Sequence, residues 1–129
     1  MARPAHSRPT DMELEILRVL WKRGPSSVHE VHLAVSATRP VGHTSVLKIM
    51  QIMFEKGLVT RDESQRAHRY EARSSREQTQ RKLLDDLLDR VYEGSAGNLV
   101  LQALSTKRAS PEELREIRQI LERYEKKQK

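Results

Sequence analysis

The spacing of apolar residues changes at Gly57 from that of a helix to that of a strand. This change constrains the fold more than any other feature of the sequence. The apolar residues before it recur at the spacing of one helix face: Val46, Ile49, Met50, Met53 and Phe54. After it, "LVTRD" and "AHRYEA" alternate with a period of two on either side of "ESQR". Glycine favours the left-handed conformation that commonly ends a helix. The sequence therefore predicts a helix over 44–56 that leads directly into a two-stranded hairpin.

Two further helix starts precede this junction. Thr10 with Glu13, and Ser27 with Glu30, have the spacing of a capping box, in which each side chain bonds the other residue's backbone N–H. Three helices followed by a hairpin is the element order of a winged helix-turn-helix. We therefore expect residues 10–73 to form such a domain, mainly α-helical with one small β-hairpin.

The segment 74–129 has a different character. Ser74 with Glu77 predicts the start of a long helix, "EGSAGN" interrupts that helix, and Ser110 with Glu113 predicts a last one. Each predicted helix offers one apolar stripe, so the segment cannot close a core of its own, and a second copy of the chain is the simplest cover. We expect a helical dimerisation region with these contact residues: Leu84, Leu87, Leu88, Val91, Leu101, Leu104, Leu114, Ile117, Leu121 and Tyr124.

The composition limits the kinds of binding partner and site that the chain can have. Lys and Arg number 24 against 18 Asp and Glu, and the net charge of +6 favours a polyanionic partner. The absence of cysteine excludes a disulfide framework, a Cys-ligated zinc site and a thiol nucleophile. No apolar run approaches the roughly 20 residues that span a bilayer, and we expect a cytoplasmic protein without a membrane partner. Residues 1–9, "MARPAHSRP", show no periodicity and predict a flexible arm.

The helix predicted over 44–56 has a polar side with the chemistry of a DNA-reading surface. A helix that enters the major groove needs short polar or basic side chains near its start and an apolar underside. Thr44, Ser45 and Lys48 meet the first requirement, and Gln51 continues the same side. Any amphipathic surface helix also has a polar side, so this feature alone does not establish DNA binding.

The hairpin strengthens the DNA-binding interpretation because it carries cations directly after that helix. Arg66 lies at the tip, and Arg61, His68 and Arg69 lie on the strands. In a winged domain such cations contact the phosphate backbone and supply affinity without reading sequence. Neighbouring strand residues point to opposite sides, so His68 and Arg69 cannot both face the DNA.

Two other function classes stay open at this stage. A winged helix can bind protein instead of DNA, with the basic hairpin serving only solubility. His29 and His32 have the i, i+3 spacing of a shared metal site, but no third ligand is evident nearby. No nucleophile-base pair and no phosphate-cradling glycine loop is present, so we expect no enzyme activity, no cofactor and no metal.

Several stretches resemble one family of winged-helix regulators, the penicillinase-repressor (BlaI/MecI) family. "TDMELEILRVLW" looks like its opening helix, "TSVLKIMQIMFEKGLV" is similar to its DNA-contacting helix, and "RAHRYEA" looks like its second wing strand. "VYEGSAGNLVLQAL" and "SPEELREIRQIL" resemble its linker and its dimerising helix. The resemblance spans nearly the whole chain.

This resemblance implies a homodimeric transcriptional repressor. Its two DNA-contacting helices would occupy successive half-sites of a palindromic double-stranded DNA operator. By position, Thr44, Ser45 and Lys48 lie where the family contacts DNA, and His43 directly precedes them. Ile52 stands where the family usually has an arginine.

The resemblance also implies a sensor protease as a partner, since some members are cut in the helix after the linker at an Asn-Phe pair. Gln102 and Ala103 stand at that position here. The cysteine pairs of the copper-responsive branch are absent. Proteolysis elsewhere, a small ligand, or no inducing signal at all therefore stay open.

Overall fold

The computed structural model describes residues 8–128, so most of the arm expected over 1–9 lies outside the described residues. The chain divides into two compact units that adjoin in sequence between Leu83 and Leu84. The elements in chain order are α1 (Asp11–Arg23), β1 (Ser26–Ser27), α2 (Val28–Ser36), α3 (His43–Lys56), β2 (Val59–Asp62), β3 (Arg69–Ala72), α4 (Arg76–Val91), α5 (Ala96–Thr106) and α6 (Pro111–Gln128). The helices and the hairpin follow the predicted order, which confirms the predicted fold class.

The predicted capping boxes at the first two helices are confirmed. At α1, the Thr10 N–H donates to Glu13 Oε1 (2.8 Å) and the Glu13 N–H donates to Thr10 Oγ1 (3.2 Å). Ser27 and Glu30 make the equivalent pair of bonds at α2. Each box satisfies backbone donors that a helix start leaves without an intrahelical partner. Both helices therefore begin where the local sequence specifies.

The predicted two-stranded hairpin of β2 and β3 is confirmed, and a third strand that was not predicted joins it. The described residues form a three-stranded antiparallel sheet in the order β1-β3-β2. Tyr70 on β3 pairs with Ser26 of β1 on one side and with Arg61 of β2 on the other. The two-residue strand β1 has no alternating apolar pattern, because its pairing depends on where the turn after α1 places it and not on its own sequence.

Helix α3 begins at His43, one residue before the predicted start, and ends at Lys56. Gly57 follows in the left-handed conformation (φ 81°, ψ 16°), and its N–H reaches the carbonyls of Met53 and Phe54. The Leu58 N–H also donates to the Met53 carbonyl (2.9 Å). The predicted role of Gly57 is confirmed, since a Cβ at this φ would be strained.

The core of the first unit lies between the three helices and the inner side of the sheet. Ten apolar side chains are buried there: Ile16, Leu17, Leu20, Val31, Val35, Val46, Met50, Met53, Val59 and Tyr70. Tyr70 is 2% exposed, so β3 is anchored to the core by one large aromatic side chain. This anchor fixes the position of the hairpin relative to α3.

A buried ion pair accompanies this apolar core. Lys56 Nζ, at the end of α3, donates to Glu13 Oε1 at 2.7 Å. The two side chains are 6% and 4% exposed. Lysine and glutamate are rarely buried unless they are paired. Since the two partners are distant in sequence, the pattern of apolar residues did not predict this pair.

Helix α4 begins one residue later than the predicted cap. The bonds that cap it join Ser75 and Gln78: the Ser75 N–H donates to Gln78 Oε1 (2.9 Å), and the Gln78 N–H donates to Ser75 Oγ (3.1 Å). The prediction of Ser74 with Glu77 is therefore wrong. The Ser74 carbonyl instead accepts a hydrogen bond from Trp21 Nε1 at 2.9 Å, a tertiary contact that sets the start of the helix.

The interruption predicted at "EGSAGN" is confirmed between α4 and α5. Glu93 and Gly94 have positive φ angles of 51° and 79°, and Ser95 caps α5 through a bond from the Asn98 N–H. Ser110 caps α6 as predicted. Helices α4, α5 and α6 contain no buried side chain among their described residues.

Candidate nucleic-acid interface

The outer side of α3 presents polar side chains to solvent. His43, Thr44, Ser45, Lys48 and Gln51 are all exposed, as expected for a DNA-reading side. The opposite side of the helix supplies three residues to the core. Packing therefore fixes which side of α3 is available to a partner.

The start of α3 lacks a side-chain cap. Its N-cap residue is Gly42, which makes no side-chain hydrogen bond to the first turn. The first N–H groups of a helix carry a partial positive charge and are ready donors to anions. Since Thr44 and Ser45 stand in the same turn, backbone and hydroxyl donors occupy one small area.

The hairpin tip is shaped by local hydrogen bonds. Asp62 Oδ1 accepts the Ser64 N–H at 2.9 Å, and this bond lowers the pKa of Asp62. Arg66, further along the tip, is exposed. Within the described part of the chain it has no hydrogen bond or ion pair, which leaves its guanidinium available to an external anion.

Arg61, a predicted DNA contact, lies against the body of the domain. Its guanidinium carbon is 4.1 Å from the centroid of the Phe54 ring, and Nη2 donates to Glu63 Oε2 at 3.2 Å. Interactions with Tyr70 and Glu63 raise the pKa of Arg61. A cation-π contact and an ion pair both hold this side chain, so its first role is to join β2 to α3.

Arg69, another predicted DNA contact, is also engaged inside the domain. Its Nη1 donates to the Pro25 carbonyl at 3.1 Å and lies 3.7 Å from Glu30 Oε1. Hydrogen bonds from Ser27 lower the pKa of Glu30, and the charge of Arg69 adds to this effect. Arg69 therefore links β3 to the start of α2.

A cleft of about 310 Å³ lies where α2, α3 and the hairpin meet. Its polar lining includes His29, His43, Arg66 and His68. The ring centroids of His29 and His43 are 6.3 Å apart. From the sequence, His29 was considered only with His32 as a possible metal pair, and the packing of α2 beside the start of α3 brings His29 close to His43.

His32 completes the histidine group from the other side. Its ring centroid is 5.5 Å from that of His43 in an edge-on arrangement, and its Nε2–H donates to the Val41 carbonyl at 2.8 Å. In the described part of the chain, no three His, Cys, Asp or Glu residues converge in a way that would hold a metal ion. His32 thus tethers the loop that precedes α3.

The predicted dimer contacts form apolar stripes on α4, α5 and α6. Seven of them are exposed: Leu84, Leu87, Val91, Leu101, Leu104, Leu121 and Tyr124. Leu88, Leu114 and Ile117 are half-buried. Exposing so many large apolar side chains to water is unfavourable, so these stripes are candidates for a protein contact.

Residues 9–123 match the sequence profile of the penicillinase repressor family. The chain belongs to that family. It is 31% identical to the transcriptional regulator BlaI of Mycobacterium tuberculosis over 96 residues, which cover 74% of this chain and 70% of that protein. It is 26% identical to the penicillinase repressor of Bacillus licheniformis over 120 residues, which cover 93% of this chain and 94% of that protein.

The resemblance stated from the sequence is therefore confirmed, and the protein is a transcriptional repressor of the BlaI/MecI type. A penicillinase repressor of Staphylococcus aureus is a further relative, with 20% identity over 115 residues covering 89% of this chain and 91% of its own. These relatives are named as regulators or repressors and not as enzymes. No helix among the described residues is long and apolar enough to cross a membrane.

Proposed function

We propose that this repressor acts as a homodimer that binds a palindromic DNA operator through α3 and the hairpin. The observation that carries the proposal is the exposed polar side of α3 together with the exposed Arg66, which lines one cleft with His43 and has no hydrogen bond or ion pair among the described residues. No catalytic role is part of the proposal. The bound operator would be closed to other proteins, which is a sufficient physical basis for repression.

The reading surface consists of the first two turns of α3. The major groove is about 12 Å wide and admits one helix, whose first turns reach the base edges. Thr44 and Ser45 offer hydroxyl groups that can donate or accept, and Lys48 offers an ammonium group one turn further on. Gln51 extends the same side with an amide. His43 opens the helix and stands nearest to the adjacent phosphates.

The hairpin supplies backbone affinity in this proposal. Arg66 is the cation that has no partner in the described part of the chain. Arg61 and Arg69 are held by contacts within the domain, so in this proposal they support the hairpin and add long-range attraction to phosphates. Phosphate contacts of this type fix the register of a protein on DNA and carry no sequence information themselves.

In this proposal, α4, α5 and α6 form the contact with a second copy of the chain. These helices bury none of their described side chains, although they carry ten predicted contact residues including Leu87 and Leu121. A symmetric dimer would cover these stripes and hold two copies of α3 for two half-sites. Joining two weak half-site interactions multiplies the overall affinity.

A sensor protease is the third partner in the proposal. Gln102 and Ala103, at the corresponding position, are exposed within α5. The Gln102 carbonyl accepts hydrogen bonds from the hydroxyls of Ser105 (2.9 Å) and Thr106 (3.0 Å), so α5 must unwind locally before a protease can cut there. Incubation with a candidate sensor protease, read by mass spectrometry, tests this part. Cleavage outside α5, or none, would exclude this bond as the target.

Fluorescence polarisation with duplexes from the region upstream of the gene tests the function itself. Specific binding should weaken steeply as salt rises. Lys48→Ala should reduce the affinity about ten-fold and lower the salt slope by roughly 1. The control Lys22→Ala removes an exposed lysine from the last turn of α1 and should leave both quantities unchanged.

The outcomes separate the repressor from a protein-binding winged helix. A folded dimer that forms no specific complex with any upstream duplex, at any salt concentration, would contradict DNA binding. If Lys48→Ala binds the operator as tightly as the natural protein, α3 does not read the DNA in the way proposed.

A further inference from the structure

We propose that the cleft between α2, α3 and the hairpin binds a phosphate diester of the DNA backbone, and that its histidines take up protons when the phosphate enters. The inference rests on the proposed DNA-binding function and names a further site within it. Its consequence is that operator affinity rises as the pH falls from 8 to 6. His29 and His43 are the histidines that take up most of these protons, and His68 contributes less.

The position of the cleft directs it toward DNA. His43 is the first residue of α3, in the same turn as the residues proposed to read the operator. Arg66 and His68 line the opposite wall and belong to the hairpin. A phosphate next to the base pairs read by α3 would therefore meet donors from both elements. The volume of about 310 Å³ is large enough for a phosphate group, and Val28, Leu47 and Ala67 contribute apolar surface beside the polar side chains.

The cleft is built to hold an anion because no carboxylate lines it. The lining residues with polar side chains are His29, His43, His68, Arg66, Ser27 and Tyr70. The first turn of α3 adds backbone donors that Gly42 leaves without a side-chain cap. All of these groups can donate hydrogen bonds, and three of them gain a positive charge on protonation.

Several groups that can carry a positive charge lie close together around the cleft. His29 and His43 have ring centroids 6.3 Å apart, and His32 and His43 are 5.5 Å apart. Positively charged groups held at such distances repel one another. A phosphate placed among them reverses that balance, because an opposite charge favours the protonated forms.

The carboxylates nearest the cleft are engaged elsewhere. Glu30 on α2 accepts hydrogen bonds from Ser27 and pairs with Arg23 and Arg69. It therefore compensates cations outside the cleft.

Asp62 on β2 bonds the Ser64 N–H and also feels the charge of His68, which helps to lower the pKa of Asp62. The charge of Asp62 therefore offsets part of the charge of His68 within the hairpin, which leaves His68 the smaller part in phosphate binding. Lys48 is the nearest lysine further along α3 and is exposed. We therefore expect His29 and His43 to account for most of the coupling between proton uptake and DNA binding.

His32 is a positioning residue. Its bond to the Val41 carbonyl holds the loop before α3, and its ring meets His43 edge-on. It does not line the cleft, so its replacement should change the affinity at every pH by a similar factor. This behaviour distinguishes it from the histidines that face the phosphate.

Operator binding measured at pH 6, 7 and 8 tests the proposal in full-length protein. Histidine is the side chain whose charge changes in this range. We expect the affinity to rise about ten-fold from pH 8 to pH 6. Each additional cation on a phosphate should steepen the dependence of log K on log salt by about 0.9. Calorimetry in two buffers of different ionisation enthalpy should show net proton uptake at pH 7.

Two substitutions at the same positions distinguish charge from structure. The double variant His29→Gln/His43→Gln should bind weakly at pH 6 and pH 8 alike, with proton uptake close to zero. His29→Lys/His43→Lys carries fixed charges and should bind tightly at both pH values. The control His6→Gln removes a histidine outside the described residues and should keep the natural pH dependence.

The results that would overturn the site are distinct from those that would overturn DNA binding. A specific operator complex with equal affinity and equal salt slope at pH 6 and pH 8 contradicts the phosphate cleft and leaves the repressor function intact. Loss of the pH dependence in His6→Gln, or its full retention in His29→Gln/His43→Gln, contradicts the site in the same way. Absence of any specific complex at every pH contradicts the proposed function itself.

Discussion

Lys56 Nζ lies 2.7 Å from Glu13 Oε1 in the interior of the winged-helix unit. The same carboxylate oxygen accepts the Thr10 N–H at 2.8 Å, so one oxygen caps the start of α1 and neutralises the end of α3. The two residues are 43 positions apart in sequence. This pair ties the orientation of α3 to the first helix of the domain.

We predict that Lys56→Met strongly destabilises the domain. The substitution keeps the length of the side chain but leaves the Glu13 carboxylate buried without its cation. Breaking a buried ion pair by removing one partner costs about 3–5 kcal/mol in the free energy of unfolding. Urea denaturation followed by circular dichroism measures this change.

Two comparison variants distinguish loss of the ion pair from a general effect of methionine. Lys22→Met, on the exposed end of α1, should cost little. The double variant Glu13→Gln/Lys56→Met should recover much of the stability, because a neutral amide needs no buried cation and can still accept the Thr10 N–H. Equal stabilities of Lys56→Met and Lys22→Met would refute the importance of the pair.

Arg66 and Arg69 should respond differently to replacement by alanine. Arg66→Ala should weaken operator binding and lower the salt slope by about 1, with unchanged unfolding, because its guanidinium has no partner in the described part of the chain. Arg69→Ala should lower the unfolding midpoint, since it loses the bonds to Pro25 and Glu30. Parallel polarisation and thermal unfolding check both variants. The reverse pattern would exchange their assigned roles.

Leu87→Asp should convert the dimer into a monomer. A charge in the middle of the apolar stripe of α4 would have to be buried against the partner, which is unfavourable without a counter-ion. Operator affinity should fall at least about 100-fold as the second half-site contact is lost. Analytical ultracentrifugation provides the measurement. Lys82→Asp, on the opposite side of α4, is the matched control and should remain dimeric.

The capping box of α2 should give a pH-dependent contribution to stability. Hydrogen bonds from Ser27 lower the pKa of Glu30 below its ordinary value of 4.5. A carboxyl group with a lowered folded-state pKa stabilises the fold above its unfolded value and loses that contribution as the pH falls through the folded value. The natural protein should therefore exceed Glu30→Gln in melting temperature at pH 7, and the difference should shrink as the pH falls below 4.5 and through the folded-state pKa of Glu30. A difference that is constant with pH would contradict this assignment.

Features that depend on a few neighbouring residues were predictable from the sequence. The capping boxes at Thr10, Ser27 and Ser110 and the left-handed turn at Gly57 each require residues at most four positions apart. The helical stripe of α3 and the alternation around the hairpin are likewise local, and Tyr70 packs into the core as the alternation indicates. Local patterns also predicted the exposed polar side of α3.

Features that depend on the meeting of distant segments were not predictable. Strand β1 forms only because Ser26 lies beside Tyr70, and the cap of α4 moves to Ser75 because Trp21 bonds the Ser74 carbonyl. The residues next to the hairpin arginines in the sequence do not indicate their partners. Arg69, for example, donates a hydrogen bond to the distant Pro25 carbonyl.

The sequence by itself determined the helix starts, the hairpin and the apolar stripes, because hydrophobic period and cap chemistry act over one or two turns. The tertiary structure alone decided that Lys56 neutralises Glu13, which hairpin arginine stays available, and that His29 and His43 share one cleft. These outcomes depend on distances between elements, which are set by packing around a common core. The exposed polar side of α3 belongs to the first class and the histidine cleft to the second.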